Sequence, residues 1–191
     1  MVEQASERQL ILVTGPARSG KSEWAETLAV RSGRSVLYIA TSQRDPSDRE
    51  WQDRIDQHCQ RRPPTWTTVE TPIALAETIH MAPLNSCLLV DSLGTWLANL
   101  LDQDDATWSK TLASLLDSLH HTTSSIIFVA EETGWGVVPV YPMGRLFRDR
   151  LGILTRQLGA IAHPVYLVTG GHVLNLSSLG TPLHQALELT Q

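Results

Sequence analysis

The sequence predicts an α/β fold with three layers and a mostly parallel central sheet, on the strength of three observations. Short apolar runs alternate with longer stretches of helical periodicity along most of the chain, and strands that alternate with helices form a parallel sheet through right-handed crossovers. The first apolar run, Leu10-Ile11-Leu12-Val13, leads straight into Gly15-Pro16-Ala17-Arg18-Ser19-Gly20-Lys21-Ser22, and a helical pattern, Glu23 to Val30, follows. At 191 residues the chain suits one well-buried domain, 1-191, with residues 1-9 a peripheral leader and 171-191 a peripheral tail.

Composition narrows the function classes. An apolar content of 42% and a charged content of 18% are those of a globular protein, and the net charge of −5 gives no electrostatic reason to expect nucleic acid or an anionic membrane as partner. Only Cys59 and Cys87 are present, too few for a disulfide framework or a cysteine metal site, which suits a reducing cytoplasm. The first nine residues lack a signal-peptide core. The longest apolar region, Cys87 to Leu101, is broken by Asp91, Ser92 and Asn99, so no membrane span is expected.

The Gly15 to Ser22 stretch reads as a phosphate-binding loop. Gly15 and Gly20 let the backbone coil around Ala17, Arg18 and Ser19 with its N–H groups turned inward, where side chains would block phosphate oxygens. Lys21 can reach the β and γ phosphates, and the Ser22 hydroxyl can ligate the magnesium that bridges them. The helix that follows adds its positive end. A glycine turn without function is the plainer alternative, and four defined positions between a strand and a helix argue against it.

Further along, Ser35 to Ala40 reads as a second buried strand that ends at Thr41-Ser42-Gln43. Ligands gather beyond the C-terminal ends of parallel strands, so Thr41 and Ser42 face a nucleotide or form an ordinary polar loop. Asp48 to Arg61 is helical, starting near Pro46-Ser47, with Trp51, Ile55 and Cys59 on one face and Arg54, His58 and Arg61 or Arg62 on the next. Cationic neighbours would lower the pKa of such an imidazole and favour a neutral nucleophile; a solvated helix face explains the same spacing. Thr67-Thr68-Val69 is a short strand, Glu70 sits at its exit, and Thr71-Pro72 is expected to cap a helix that runs to about Met81.

Cys87 to Asp91 is an apolar run that ends in a carboxylate, as a magnesium-associated strand does, although Asp91 could also cap the helix expected from Leu93 to Leu101. A leucine stripe from Leu112 to Leu119 reads as core. Ser125 to Ala130 is another buried strand, which delivers Glu131-Glu132 and a loop with Trp135 between two glycines. A last long helix, Met143 to Ala162, and the strand Pro164 to Thr169 complete the sheet, and a short helix near Leu183 to Leu189 lies in the tail.

Several of these stretches together resemble the bifunctional adenosylcobinamide kinase/adenosylcobinamide-phosphate guanylyltransferase family of cobalamin biosynthesis. The resemblance rests on Thr14-Gly15-x-Ala17-Arg18-Ser19-Gly20-Lys21-Ser22, on Tyr38 to Ser42, and above all on Arg54-Ile55-x-x-His58-x-x-x-Arg62-Pro63-x-x-Trp66. It continues in Val90-Asp91-x-Leu93-x-x-Trp96-Leu97-x-Asn99-Leu100-Leu101, Glu132-x-Gly134-x-Gly136-x-Val138-Pro139 and Phe147-Arg148-Asp149-x-x-Gly152. It implies a P-loop NTPase fold of the RecA-like kind, ATP and GTP as substrates with Mg2+, adenosylcobinamide and its phosphate as acceptors, and a homotrimer. It also implies that His58 is the residue that accepts GMP. Lys21, Arg54 and Arg62 are then expected beside it as catalytic groups, Ser22 and Asp91 on the metal, and Glu70 on the nucleotide side.

The chain departs from the family pattern in Glu131-Glu132 for Asn-Glu, in Thr155-Arg156 for Asn-Gln, and in Pro16 for a glycine inside the loop. Two other readings stand beside this one: a simple phosphate-loop kinase of small molecules without guanylyltransferase activity, and a nucleotide-dependent switch or binding module.

Overall fold

The computed structural model describes residues 8–43 and 47–188, without the side chains of Arg54, His184 and Glu188. In chain order the elements are β1 (Leu10–Gly15), α1 (Lys21–Arg31), β2 (Val36–Ala40), α2 (Arg49–Arg61), β3 (Thr67–Glu70), α3 (Leu75–His80), β4 (Cys87–Asp91), α4 (Leu93–Ala98), α5 (Asp105–His121), β5 (Ser125–Glu131), α6 (Pro142–Ile161), β6 (Val165–Thr169), β7 (His172–Asn175), α7 (Leu176–Leu179) and α8 (Leu183–Glu188). The strands form one seven-stranded sheet in the order β3-β2-β4-β5-β1-β6-β7. All neighbours are parallel except β6 and β7.

Both faces of strands β1, β2, β4 and β5 are buried, which is why these strands read as unbroken apolar runs. Leu12, Leu88, Val90, Ile126 and Phe128 point to one side, where they pack with Leu75 and Ile79 of α3, Trp96 and Leu97 of α4, Leu112 and Leu115 of α5, and Leu151, Leu154 and Leu158 of α6. The alternate residues Ile11, Val13, Tyr38, Leu89, Ile127 and Val129 point to the other, against Ala25 and Ala29 of α1. The small alanines let α1 lie close to the sheet. Helix, sheet and helix give the three layers, and the expected P-loop NTPase architecture holds in its RecA-like form, with β5 inserted between the loop-bearing strand β1 and β4.

The register sets what meets at the C-terminal edge. Gly15 lies opposite Glu131, and Ala40 opposite Asp91. Four strands therefore deliver their last residues to one rim, above which α1 begins.

Three expectations change in detail. The helix after β3 starts at Leu75 rather than at Thr71-Pro72. Trp96 Nε1 donates to the Ile73 carbonyl at 2.9 Å and Asn99 Nδ2 to the Pro72 carbonyl at 3.0 Å, so side chains from α4 and its C-cap claim the backbone groups of this segment. The helix from Leu93 stops at Ala98. The segment after Gly171 is a strand, β7, that pairs antiparallel with β6. Of the expected start of α2 near Pro46-Ser47, Pro46 falls outside the described residues; within them Asp48 is the cap, accepting from Trp51 N–H at 2.9 Å, and the helix begins at Arg49. Among the described residues no helix is long and apolar enough to cross a membrane.

Leu88 is fully buried in β4, a strand flanked by β2 and β5. Leu88→Ala is expected to lower unfolding free energy by about 2–5 kcal/mol through lost transfer energy and a residual cavity. Urea unfolding should show a lower midpoint with an unchanged slope.

Candidate nucleotide-binding and transfer site

The site begins where β1 ends. A Cβ on Gly15 would stand 2.3 Å from the Val168 carbonyl oxygen, so only glycine lets the loop pass β6 at this distance. The loop then turns through left-handed conformations at Arg18 (φ 59) and Gly20 (φ 91), and α1 starts at Lys21. Pro16 is tolerated inside it because its carbonyl is what the loop uses, accepting from Ser19 N–H at 3.3 Å and from Lys21 Nζ at 3.3 Å. Lys21 is buried to 6% exposure and curls over the loop it would share with a phosphate chain. Ser19 Oγ is buried with no hydrogen-bond partner among the described residues, a donor aimed into the loop.

Asp91 lies at the centre. Its Oδ1 accepts from Ser22 Oγ at 3.4 Å, its Oδ2 accepts from the Tyr38 hydroxyl at 2.7 Å, and His58 Nδ1 stands 3.5 Å from the same Oδ2. Burial pushes this carboxyl up, but the His58 imidazole and the Tyr38 and Ser22 hydroxyls outweigh it and hold Asp91 below the ordinary carboxylate value. Burial also pushes the Tyr38 phenol far up, with the Asp91 charge adding to it, so the hydroxyl keeps its proton and acts as donor. Ser92 rather than Asp91 caps α4, through a reciprocal box with Thr95.

Helix α2 brings His58 here by side-chain ties at its C-terminal end. Arg61 bridges to Glu23 Oε1 at 3.2 Å and Glu26 Oε1 at 3.3 Å, both on α1, and its Nη2 lies 3.2 Å from His58 Nδ1. Burial raises the pKa of Glu26, and Arg61 opposes that shift. Just beyond the helix, the Arg62 guanidinium lies 3.5 Å from the centre of the Tyr38 ring, a cation–π contact, and Trp66 stacks near the same ring at 6.4 Å.

These groups wall a cleft of about 1080 Å³, lined by Arg18 to Ser22, Tyr38, Ser42, His58, Arg61, Arg62, Trp66, Glu70, Asp91 and Glu131 among others. Its size and rim position suit a nucleotide together with part of a second substrate. Of the residues expected at the site, Lys21, Ser22, Ser42, His58, Arg62, Glu70 and Asp91 share this cleft with Arg18, Ser19 and Gly20. Gly15 and Ala17 belong to the loop without lining it, and the Arg54 side chain lies outside the described structure. Thr41 does not face the cleft. It is fully buried, and its hydroxyl donates to the Ser92 carbonyl at 2.7 Å and accepts from Ser92 N–H at 2.9 Å, which fixes the β4–α4 junction behind Asp91.

Sequence reasoning did not place Tyr38, Glu23 or Glu26 at the site, chose Arg62 over Arg61, and noted Glu131 as a strand-end residue and a departure from the family pattern. Glu131 closes the floor of the cleft, accepting from Ser92 Oγ at 2.5 Å and from Gly94 N–H at 2.9 Å. For Tyr38 the usable signal was its alternation with Ala40 in β2, which puts it on the Asp91 face once β2 is paired with β4.

The donor set fits magnesium. Ser22 and Asp91 offer hard oxygen ligands at the loop, and among the described residues no group of three or more His, Cys, Asp or Glu could form an all-protein metal cage. Magnesium held through one carboxylate, a hydroxyl, water and phosphate oxygens needs no such cage.

Comparison with known proteins matches residues 11–176 to the family model described as cobinamide kinase / cobinamide phosphate guanyltransferase. The chain is 42% identical over 174 residues to the bifunctional adenosylcobalamin biosynthesis protein CobP of Pseudomonas aeruginosa, covering 90% of this chain and 98% of that one. It is 39% identical over 178 residues to the bifunctional adenosylcobalamin biosynthesis protein CobU of Escherichia coli K12, covering 85% and 96%. Among solved structures, a Pyrococcus horikoshii OT3 protein superposes with a TM-score of 0.55 at 6% identity, over 88% of this chain and 85% of that one, a likeness of fold alone.

Exposed ion pairs are worth roughly 0.2–1 kcal/mol each, so loss of the two Arg61 bridges should loosen α2 without unfolding the domain. In Arg61→Ala, hydrogen exchange of α2 amides is expected to quicken by about 3- to 10-fold, with exchange in β4 and β5 unchanged.

Proposed function

The chain belongs to the cobinamide kinase / cobinamide phosphate guanyltransferase family, and we propose that it carries out both reactions in the one cleft, with His58 as the carrier of GMP. The observation that carries this reading is the convergence of Ser22, from the phosphate loop, and His58, from α2, on the two oxygens of a single carboxylate, Asp91.

In the kinase reaction the hydroxyl of the adenosylcobinamide aminopropanol arm attacks the γ phosphorus of ATP or GTP, and the nucleoside diphosphate leaves. The loop amides and Lys21 hold the phosphate chain and neutralise charge on the oxygens around the transferred group. Ser22 and Asp91 would hold magnesium, which would supply further charge neutralisation to the phosphate chain. In the transferase reaction His58 attacks the α phosphorus of GTP, pyrophosphate leaves, and the resulting phosphoramidate passes GMP to adenosylcobinamide phosphate, giving adenosylcobinamide-GDP. A covalent carrier divides one difficult transfer into two displacements. Arg61 and Arg62, both on the cleft wall, are placed to balance phosphate charge during that step. Arg54 has the same role by its position one turn before His58.

Homotrimeric assembly follows from the family resemblance. It is supported by the exposed apolar side chains of Trp135, Val137, Val138, Val140, Tyr141 and Met143, which an assembly would cover. A cytoplasmic location is supported by the use of nucleoside triphosphates and by Cys59 and Cys87, neither of which is in a disulfide.

Incubation with adenosylcobinamide, GTP and magnesium should yield adenosylcobinamide phosphate and then adenosylcobinamide-GDP by mass spectrometry. Lys21→Ala is expected to slow phosphoryl transfer by about 100-fold or more, the scale on which loss of one charge-stabilising donor acts. Arrest at the phosphate in the wild type would leave a simple kinase. Tight GTP binding with no corrinoid product would leave a binding module.

A further inference from the structure

His58 is a nucleophile with two nitrogens, and the surroundings treat them differently. Among the described residues, the polar contacts of the ring are made by Nδ1: Asp91 Oδ2 at 3.5 Å and Arg61 Nη2 at 3.2 Å. A carboxylate oxygen only accepts, and a guanidinium only donates, so the two neighbours ask for opposite tautomers. With the hydrogen on Nδ1, the ring donates to Asp91 and Nε2 keeps its lone pair. With Nδ1 bare, it accepts from Arg61, and Nε2 carries the hydrogen and cannot attack phosphorus.

Two features of the site favour the first arrangement. Arg61 already has acceptors, Glu23 and Glu26, for both of its terminal nitrogens, so it does not need Nδ1. Asp91 in turn is fixed by other donors, the Tyr38 hydroxyl on Oδ2 and the Ser22 hydroxyl on Oδ1, and Tyr38 is itself pinned between strand β2 and the Arg62 guanidinium. An oriented negative charge beside Nδ1 holds a hydrogen there.

We propose that Asp91 is a positioning residue for guanylyl transfer as well as a metal-side acid: it takes the hydrogen bond from His58 Nδ1 and leaves Nε2 as the atom that bonds GMP. This rests on the reading of His58 as the carrier. In the step, the Nε2 lone pair forms a bond to the α phosphorus while the bond from that phosphorus to the bridging oxygen breaks, and pyrophosphate departs with the electron pair. No proton moves. The ring gains a positive charge, and the Asp91 carboxylate beside Nδ1–H balances it. In the return step an oxygen of adenosylcobinamide phosphate bonds to the α phosphorus, the N–P bond breaks, and the pair returns to Nε2. Asp91 thus acts through His58 on the second reaction and through the metal side on the first.

The test has two readouts, neither of which is turnover. Long-range ¹H–¹⁵N NMR of metal-free protein with ¹⁵N-labelled histidine, at a pH where His58 is neutral, should find the hydrogen on Nδ1, opposite to the preference of free histidine. Asp91→Asn should shift His58 toward the Nε2–H tautomer, since a neutral amide can turn its own donor to Nδ1. A wild-type Nε2–H tautomer would overturn the proposal. The second readout is the linkage in the GMP adduct formed by the wild type, unfolded in alkali and examined by ¹H–³¹P correlation against the two phosphohistidine isomers. Phosphorus on Nε2 supports the proposal, and phosphorus on Nδ1 overturns it while leaving His58 as carrier. Absence of any His58 adduct from protein that binds GTP would overturn the carrier reading itself, and with it the proposal.

Discussion

Asp91 ends a strand whose other four residues are buried among apolar neighbours, so its carboxylate enters the protein with little water to solvate it. Such a charge survives only where donors replace the lost hydration. Here they come from Ser22 on the first helix, Tyr38 on the adjacent strand and His58 on a helix that follows that strand. Most of the architecture serves that meeting. The parallel register puts the ends of β1, β2, β4 and β5 on one rim, the glycine at the end of β1 admits the loop, and the alanines of α1 bring Ser22 down to the sheet. Net, these partners hold the carboxyl below its usual value despite its burial.

The same carboxylate explains how one cleft can serve two phosphorus chemistries. Kinase and guanylyltransferase reactions cut the triphosphate at different phosphorus atoms, γ in the first and α in the second. A phosphate loop suits the first, since it positions and neutralises without making a covalent bond. The second is proposed to add a nucleophile, His58, on α2, which is held by Arg61 on Glu23 and Glu26 and by Arg62 on Tyr38. These ties are side-chain contacts at a partly exposed surface. His58 is therefore tied to the fold through side-chain contacts, while the loop and Asp91 sit at the ends of buried strands.

What could be read from the sequence follows how local each signal is. The phosphate loop was legible outright, because its positions are consecutive and each has a mechanical duty. The buried strands and the three layers were legible from unbroken apolar runs. Asp91 could be read as a strand-end acid, but its choice between metal and helix cap needed the structure, which gives the cap to Ser92. His58 was ambiguous by spacing, and the role proposed for it came from the compound pattern around it. Tyr38 and Arg61 were not legible as site residues, since their partners lie on elements brought together only by strand order and helix docking: β2 beside β4, α2 against α1. Thr41 misled for the opposite reason. It stands at a strand end, where polar residues often face ligands, yet its hydroxyl is spent on Ser92. The start of α3 and the strand β7 escaped because tertiary hydrogen bonds and an antiparallel partner decide them.

His58 is the proposed link between the two reactions. The most direct measurement is incubation of the wild type and of His58→Ala with GTP labelled at the α or at the γ phosphate, followed by denaturing gel. An acid-labile, alkali-stable label is expected on the wild type from α-labelled GTP alone, and none on the variant. An unlabelled wild type that still binds GTP, or an equal label on the variant, would contradict the proposed link.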